Sequence, residues 1–169
     1  DETALDPAML EFEITESMVM KDPVHAVKLL TGLKAMGIHL SIDDFGTGYS
    51  SLSYLKRFPL DSVKIDRSFI KDLPGDSDDA AITQAILAMA HSLKLNVIAE
   101  GVETEEQLSF LRDHGCNEMQ GYYFSKPVAE HEFARLVLNC AASRKPAEAI
   151  SRSGHKPAFL MNEFFPERA

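Results

Sequence analysis

Apolar residues occur in short runs separated by longer stretches in which they recur at three- and four-residue intervals. The runs at residues 10–14, 38–42, 62–65, 96–99 and 118–122 predict β-strands. Between the first two, Val27, Leu30 and Leu33 share one helical face, and Gly37 stands where a left-handed residue commonly closes a helix. Residues 78–94 carry Ile82, Ile86, Met89 and Leu93 on one stripe, which reads as a core-facing helix and nothing more specific. Thr104 and Gln107 have the spacing of a capping box for a helix bearing Leu108 and Leu111, with Gly115 at its foot. Phe133, Leu136 and Val137 predict a last barrel-type helix. Alternating strands and helices imply a parallel sheet covered by helices. Right-handed crossovers curl such a sheet into an open doubly wound array or a closed barrel, and periodicity alone does not choose.

The pattern stops after Cys140. Residues 141–157 are rich in Ala, Ser, Lys, Arg and Pro, a composition expected of a solvated linker or partly ordered tail. Phe159, Leu160, Phe164 and Phe165 close it on a more apolar note. The expected organisation is therefore one α/β domain over residues 1–140 and a tail over 141–169.

Composition narrows the chemistry. With 169 residues, 45% of them hydrophobic, the chain can bury one sizeable core. A net charge of −9, from 26 acidic against 17 basic residues, argues against bulk DNA or RNA as partner, because such binding rests on clustered Lys and Arg. A small phosphate ligand held through a metal stays compatible with it. Cys116 and Cys140 are too few for a disulfide scaffold or zinc knuckle; both read as structural thiols in a reducing, cytoplasmic compartment. No apolar run approaches the roughly 18 residues of a spanning helix, and the acidic Asp1 and Glu2 are unlike a signal peptide. The chain does not begin with methionine, so its start is expected to be a processing or expression boundary, and a membrane anchor upstream in a longer parent stays open.

The charges have a place as well as a number. The first predicted strand leads to Glu13, the second to Asp43 and Asp44, the third to Lys64 and Asp66, the fourth to Glu100 and the fifth to Gln120. One acidic residue after a strand is most often a turn former or a solvated charge. The same chemistry after successive strands converges at the mouth of a barrel, where such folds keep their active sites. Crowded carboxylates repel one another and need a countercharge; oxygen donors without a Cys or His cluster favour a hard divalent ion, Mg2+ or Mn2+. Two such ions can activate water and hold a phosphoryl oxygen, while an ammonium such as Lys64 orders the water or neutralises phosphate. Those parts suit phosphodiester hydrolysis. Gly46 and Gly48 directly follow the acidic pair and let the backbone turn sharply, but the lysine and spacing of a phosphate-binding loop are absent. This stretch is expected to be a mobile active-site loop.

At these residues a family comes into view. The segments Glu13-Ile14-Thr15-Glu16-Ser17, Asp43-Asp44-Phe45-Gly46-Thr47-Gly48-Tyr49-Ser50-Ser51-Leu52, Val63-Lys64-Ile65-Asp66, Ala99-Glu100-Gly101-Val102-Glu103 and Met119-Gln120-Gly121-Tyr122 resemble the EAL family of cyclic-di-GMP phosphodiesterases, in that family's own order. The resemblance covers about residues 10–138. It implies an α/β TIM-like (β/α) barrel that hydrolyses cyclic-di-GMP to linear pGpG with Mg2+ or Mn2+, two ions in the complete domain. It further implies that Glu13, Asp43, Asp44 and Glu100 are metal ligands, with Asp43 and Asp44 bridging. Glu100 matches the proposed general base and Lys64 the residue that orients the attacking water. Gln120 and Asp66 fall at ligand-contacting positions; Glu16, Glu103, Gly46 and Gly48 support the loop. For Glu16 and Gln120 the plain alternative is helix or turn capping.

The glutamate-alanine-leucine signature and the asparagine on the following strand do not occur ahead of residue 10, and a complete barrel needs about 250 residues. The barrel is therefore expected to be incomplete, lacking its N-terminal strands, and the polypeptide alone weakly stable or self-associated, and inactive. The resemblance implies a parent with fused sensor or cyclase domains that pairs as a homodimer. Two rival readings stay open here: a non-catalytic cyclic-di-GMP receptor or interaction module of EAL fold, and a magnesium-dependent barrel lyase or isomerase.

Overall fold

The computed structural model describes residues 4–48 and 52–143, with side chains through residue 138. Tyr49, Ser50 and Ser51 of the glycine loop, the side chain of Cys140 and the tail over 144–169 lie outside the described residues.

Five strands form one sheet: β1 (Glu11–Thr15), β2 (His39–Phe45), β3 (Ser62–Ile65), β4 (Asn96–Glu100) and β5 (Glu118–Gln120). Each lies parallel to its neighbour in sequence, in the order β1-β2-β3-β4-β5. A doubly wound sheet reverses direction at a switch point; a monotonic order is that of a barrel wall. This topology settles what periodicity left open. The strands lie within one to three residues of the predicted runs. The last ends at Gln120 rather than Tyr122, because Gly121, with φ 157°, turns the chain under the Val102 backbone.

Six α-helices among the described residues accompany the strands: α1 (Glu16–Lys21), α2 (Pro23–Ala35), α3 (Leu52–Leu55), α4 (Ser77–Ser92), α5 (Glu105–Asp113) and α6 (Glu130–Ser143). Local signals account for their ends. Asp22 caps α2 through the His25 N–H, and Asp76 caps α4 through the N–H groups of Asp78 and Asp79. The capping box at α5 forms as its spacing predicts, with Thr104 and Gln107 each accepting from the other's backbone. Gly37 and Gly115 follow α2 and α5 with φ of 89° and 77°.

The core lies between the strands and the helices. Leu40, Ile42, Val63, Ile65, Val97 and Ala99 are completely buried there with Leu30, Leu87, Leu108 and Leu111. The predicted stripe on α4 is displaced. Ile82 is 40% exposed, and Thr83, Ile86, Leu87 and Ala90 form the buried face, since the helix rotates to bring small Ala90 and the Thr83 hydroxyl, bonded to the Phe69 carbonyl, against the sheet. Phe133 and Leu136 on α6 are also exposed, because no described element covers that face. No helix among the described residues is long and apolar enough to cross a membrane.

Candidate active site

Strand alternation sends Leu40, Ile42, Val63 and Ile65 toward the helices, so the residues between them face the other way. On that second face stand Glu11, Glu13, Ser41, Asp43, Ser62, Lys64, Ile98, Glu100, Glu118 and Gln120. It is a polar surface, where most barrel interiors are filled by branched aliphatics. The sequence period therefore separates a dry helix-facing side from a charged concave side within the same strands.

Lys64 is the centre of the upper layer. Its Nζ donates at 2.6 Å to Glu13 Oε1 from β1 and lies 2.6 Å from Glu100 Oε1 from β4. Asp43 Oδ1 from β2 is 3.6 Å away. Gln120 Nε2, from β5, donates to Glu100 Oε1 at 2.7 Å and so fixes that carboxylate from the other side. Each of the five strands thus sends one predicted site residue to a single cluster. The Lys64 side chain is only 6% exposed. Burial alone would lower its pKa, but the hydrogen bonds and charges of Glu100 and Glu13 outweigh that and hold the ammonium above its ordinary range.

Asp43 and Asp44 occupy an irregularity in β2. Register shifts between Ile42 and Phe45 where the strand meets β3, and Asp44 has φ 54°, a left-handed conformation uncommon outside glycine that Asp tolerates better than most residues. A regular strand sends consecutive side chains to opposite faces; the bulge relaxes that rule at the acidic pair. Asp43 Oδ1 also accepts from the Asp44 N–H at 3.0 Å.

The glycine loop rests on Glu16. This side chain is 2% exposed at the start of α1, and its Oε2 accepts from the Gly46 N–H at 3.2 Å. Its Oε1 is buried with no hydrogen-bond partner among the described residues. A Cβ at Gly48 would stand 2.7 Å from that oxygen, so the close approach of loop to carboxylate requires glycine there. Gly46 has φ 98° and a Cβ on it would stand 2.9 Å from the Phe69 ring.

Other expected residues lie apart from the Lys64 cluster in their contacts. Asp66 Oδ1 caps the turn Arg67–Phe69 by accepting from the Ser68 N–H at 2.9 Å. Glu103 pairs with Arg67 at 2.7 Å, an exposed ion pair joining the loops after β3 and β4. Arg67 escaped the reading of the sequence because its partner is 36 residues away. A lower polar layer also escaped it: Ser62 Oγ donates to Glu11 Oε1 at 3.0 Å, and the Glu118 pKa is raised, first by burial and then by the charge of Glu11. The signal was present, since Glu11 and Glu118 each stand two residues before an upper-layer residue on the same strand. Ser41 Oγ, buried on the same face, has no hydrogen-bond partner among the described residues.

The donor set suits a hard cation: three carboxylates converge on one buried ammonium, which already stands among them as a positive ion. Among the described residues no three acidic, His or Cys side chains yet stand close enough together to ligate one metal ion.

The profile of the EAL domain family matches residues 1–127. In Pseudomonas aeruginosa, the cyclic di-GMP phosphodiesterase NbdA is 51% identical over 145 residues, covering 84% of this chain and 18% of NbdA. The bifunctional diguanylate cyclase/cyclic di-GMP phosphodiesterase MucR of the same organism is 53% identical over 134 residues, 79% of this chain and 20% of MucR. The chain thus spans about a fifth of the length of these curated relatives. Among solved structures, the MucR phosphodiesterase in its c-di-GMP complex superposes with a TM-score of 0.76 at 50% identity, covering 78% of this chain and 53% of that one. BlrP1 of Klebsiella pneumoniae, in a manganese/cyclic-di-GMP complex, gives a TM-score of 0.69 at 36% identity over 75% of this chain and 32% of that one.

Proposed function

The chain belongs to the EAL domain family, and from that premise we propose that its concave face is the larger part of a site for divalent-metal-dependent hydrolysis of cyclic-di-GMP to linear pGpG. One observation carries the reading: the Lys64 ammonium is held at 2.6 Å by carboxylates from two other strands, with Asp43 from a third beside it. Such a cluster does little for stability, since burying charges costs as much as pairing them returns. It suits a place where phosphate and cations meet.

In this reading Glu13, Asp43, Asp44 and Glu100 hold two ions, Mg2+ or Mn2+; when bound, these supply Lewis acidity that lowers the pKa of coordinated water and polarises a phosphoryl oxygen. Hydrolysis adds a water oxygen to one phosphorus, breaks its bond to a 3′ oxygen and returns a proton to that oxygen, opening the ring at one diester. Glu100 accepts the proton from the water, a role supported by the Gln120 amide, which donates to Glu100 Oε1 and restrains that carboxylate. Lys64 orients the attacking water and offsets phosphate charge. Gln120 and Asp66 contact the ligand at the rim, while Glu16, Glu103, Gly46 and Gly48 support the loop after β2. The parent is read as a cytoplasmic-facing signalling protein that pairs as a homodimer, with sensor or cyclase domains joined to this one.

The 169-residue polypeptide by itself is expected to be inactive, because Glu13 stands on an edge strand that pairs only with β2 among the described residues. Incubating this chain, and a longer EAL protein carrying it, with cyclic-di-GMP and Mn2+ and resolving the products by chromatography tests both halves. The longer protein is expected to release pGpG and its Asp43→Asn variant to lose at least about 100-fold in kcat. Release of pGpG by the short chain at a comparable rate would contradict the inactivity; failure of the longer protein to release it would remove the catalytic reading and leave that of a receptor.

A further inference from the structure

We infer that Lys64 is a built-in countercation that a divalent ion must displace, so that metal loading frees its ammonium for the substrate phosphate. The inference rests on the metal reading above and deepens it. The Lys64 Nζ carries no lone pair and offers only donors, and its nearest acceptors are the oxygens proposed to bind the metal: Glu13 Oε1 and Glu100 Oε1 at 2.6 Å, then Asp43 Oδ1 at 3.6 Å. A divalent ion held by carboxylate oxygens at about 2.0–2.2 Å competes for the same lone pairs and repels a cation at that range. The ammonium and the ion therefore exclude one another from the centre of the cluster.

The surroundings favour an exchange of cations over a fixed pair. Three carboxylates meet one ammonium, so the group remains net negative and attracts further positive charge. Glu13 is half-exposed, leaving an approach from solvent, whereas Lys64 is nearly enclosed on a flexible four-carbon stem that can withdraw without moving β3. Gln120 holds Glu100 in place by a bond independent of Lys64, so that carboxylate stays oriented when the ammonium leaves. Without metal, the ammonium is spent on the carboxylates and is a poor partner for a phosphate. With metal, the same charge becomes available at the mouth, and the two binding events reinforce one another.

The test is calorimetric titration of the 169-residue chain with Mn2+ alone, without nucleotide. Lys64→Met and Lys64→Gln remove the competing charge and are expected to bind Mn2+ about tenfold more tightly than the unmodified chain, or better. Lys64→Arg keeps a cation and is expected to bind no more tightly. Far-ultraviolet circular dichroism checks that each variant is folded, and either neutral variant suffices. Equal or weaker Mn2+ binding by a folded neutral variant, or a gain in Lys64→Arg matching that of the neutral pair, overturns the displacement while leaving the metal site standing. No saturable Mn2+ binding by any of the four proteins overturns the displacement in this chain, and the metal reading then stands or falls on the hydrolysis assay of the longer protein.

Discussion

Glu118 shows how a single carboxyl couples the concave face to pH. Burial, and then the negative charge of Glu11, raise its pKa, so the fold favours the protonated form. A group whose pKa is raised on folding contributes stability below its unfolded pKa and loses that contribution as pH rises through the folded value. At neutral pH the charged Glu118 is therefore a net cost, which Glu118→Gln removes. The variant is expected to melt a few degrees higher, on the order of 2–4 °C, at neutral pH, with the gain fading as pH falls below the ordinary range of a glutamate carboxyl. Thermal melts across that range check it, and a gain independent of pH would assign the effect to packing. Cys116 lies nearby, its thiol donating to the Glu118 carbonyl at 3.2 Å; burial pushes its pKa up to about 12, in keeping with a structural rather than a reactive thiol.

At the scale of elements, one side chain ties α5 to the loops beside it. Gln107 is buried; its Oε1 accepts from the N–H groups of Glu103 and Thr104, and its Nε2 donates to the Lys71 carbonyl beyond β3. It therefore caps its own helix and braces the loop after β4, which carries Glu103, to the segment after β3. Gln107→Ala leaves these backbone groups without partners and is expected to cost about 2–3 kcal/mol, against about 1 kcal/mol for Thr104→Ala, which removes a single cap bond. Urea unfolding of the two variants measures the difference; equal costs would mean that the additional bonds of the Gln107 amide to Glu103, Thr104 and Lys71 add nothing beyond one cap bond.

For the molecule as a whole, the described residues form an arc with two open edges. β1 and β5 each pair on one side only, and Leu10 and Phe12 at one edge, with Phe133 and Leu136 on α6, remain exposed. Exposed strand edges and apolar patches recruit further chain. The isolated polypeptide is expected to self-associate, with a sedimentation coefficient that rises with concentration, and Phe12→Ser combined with Phe133→Ser is expected to lower that rise. A single monomeric species at all concentrations would show that the edges are covered by the chain itself.

What the sequence determined by itself is the local content: five strands, the capping box, the helix-closing glycines and a set of acidic residues placed along successive strands. These rest on nearest-neighbour physics, the period of two, the period of 3.6 and the reach of a capping side chain, all legible within a few residues. The tertiary structure decided which of those residues meet. Order along the sheet made the strands a barrel wall, and the parallel pairing of β1, β2 and β3 brought Glu13 and Lys64, 51 residues apart in sequence, to 2.6 Å. The rotation of α4 that exposes Ile82 and the pairing of Arg67 with Glu103 were settled there too. Contacts of that kind depend on how whole elements pack against each other, and no short stretch of the chain carries that information.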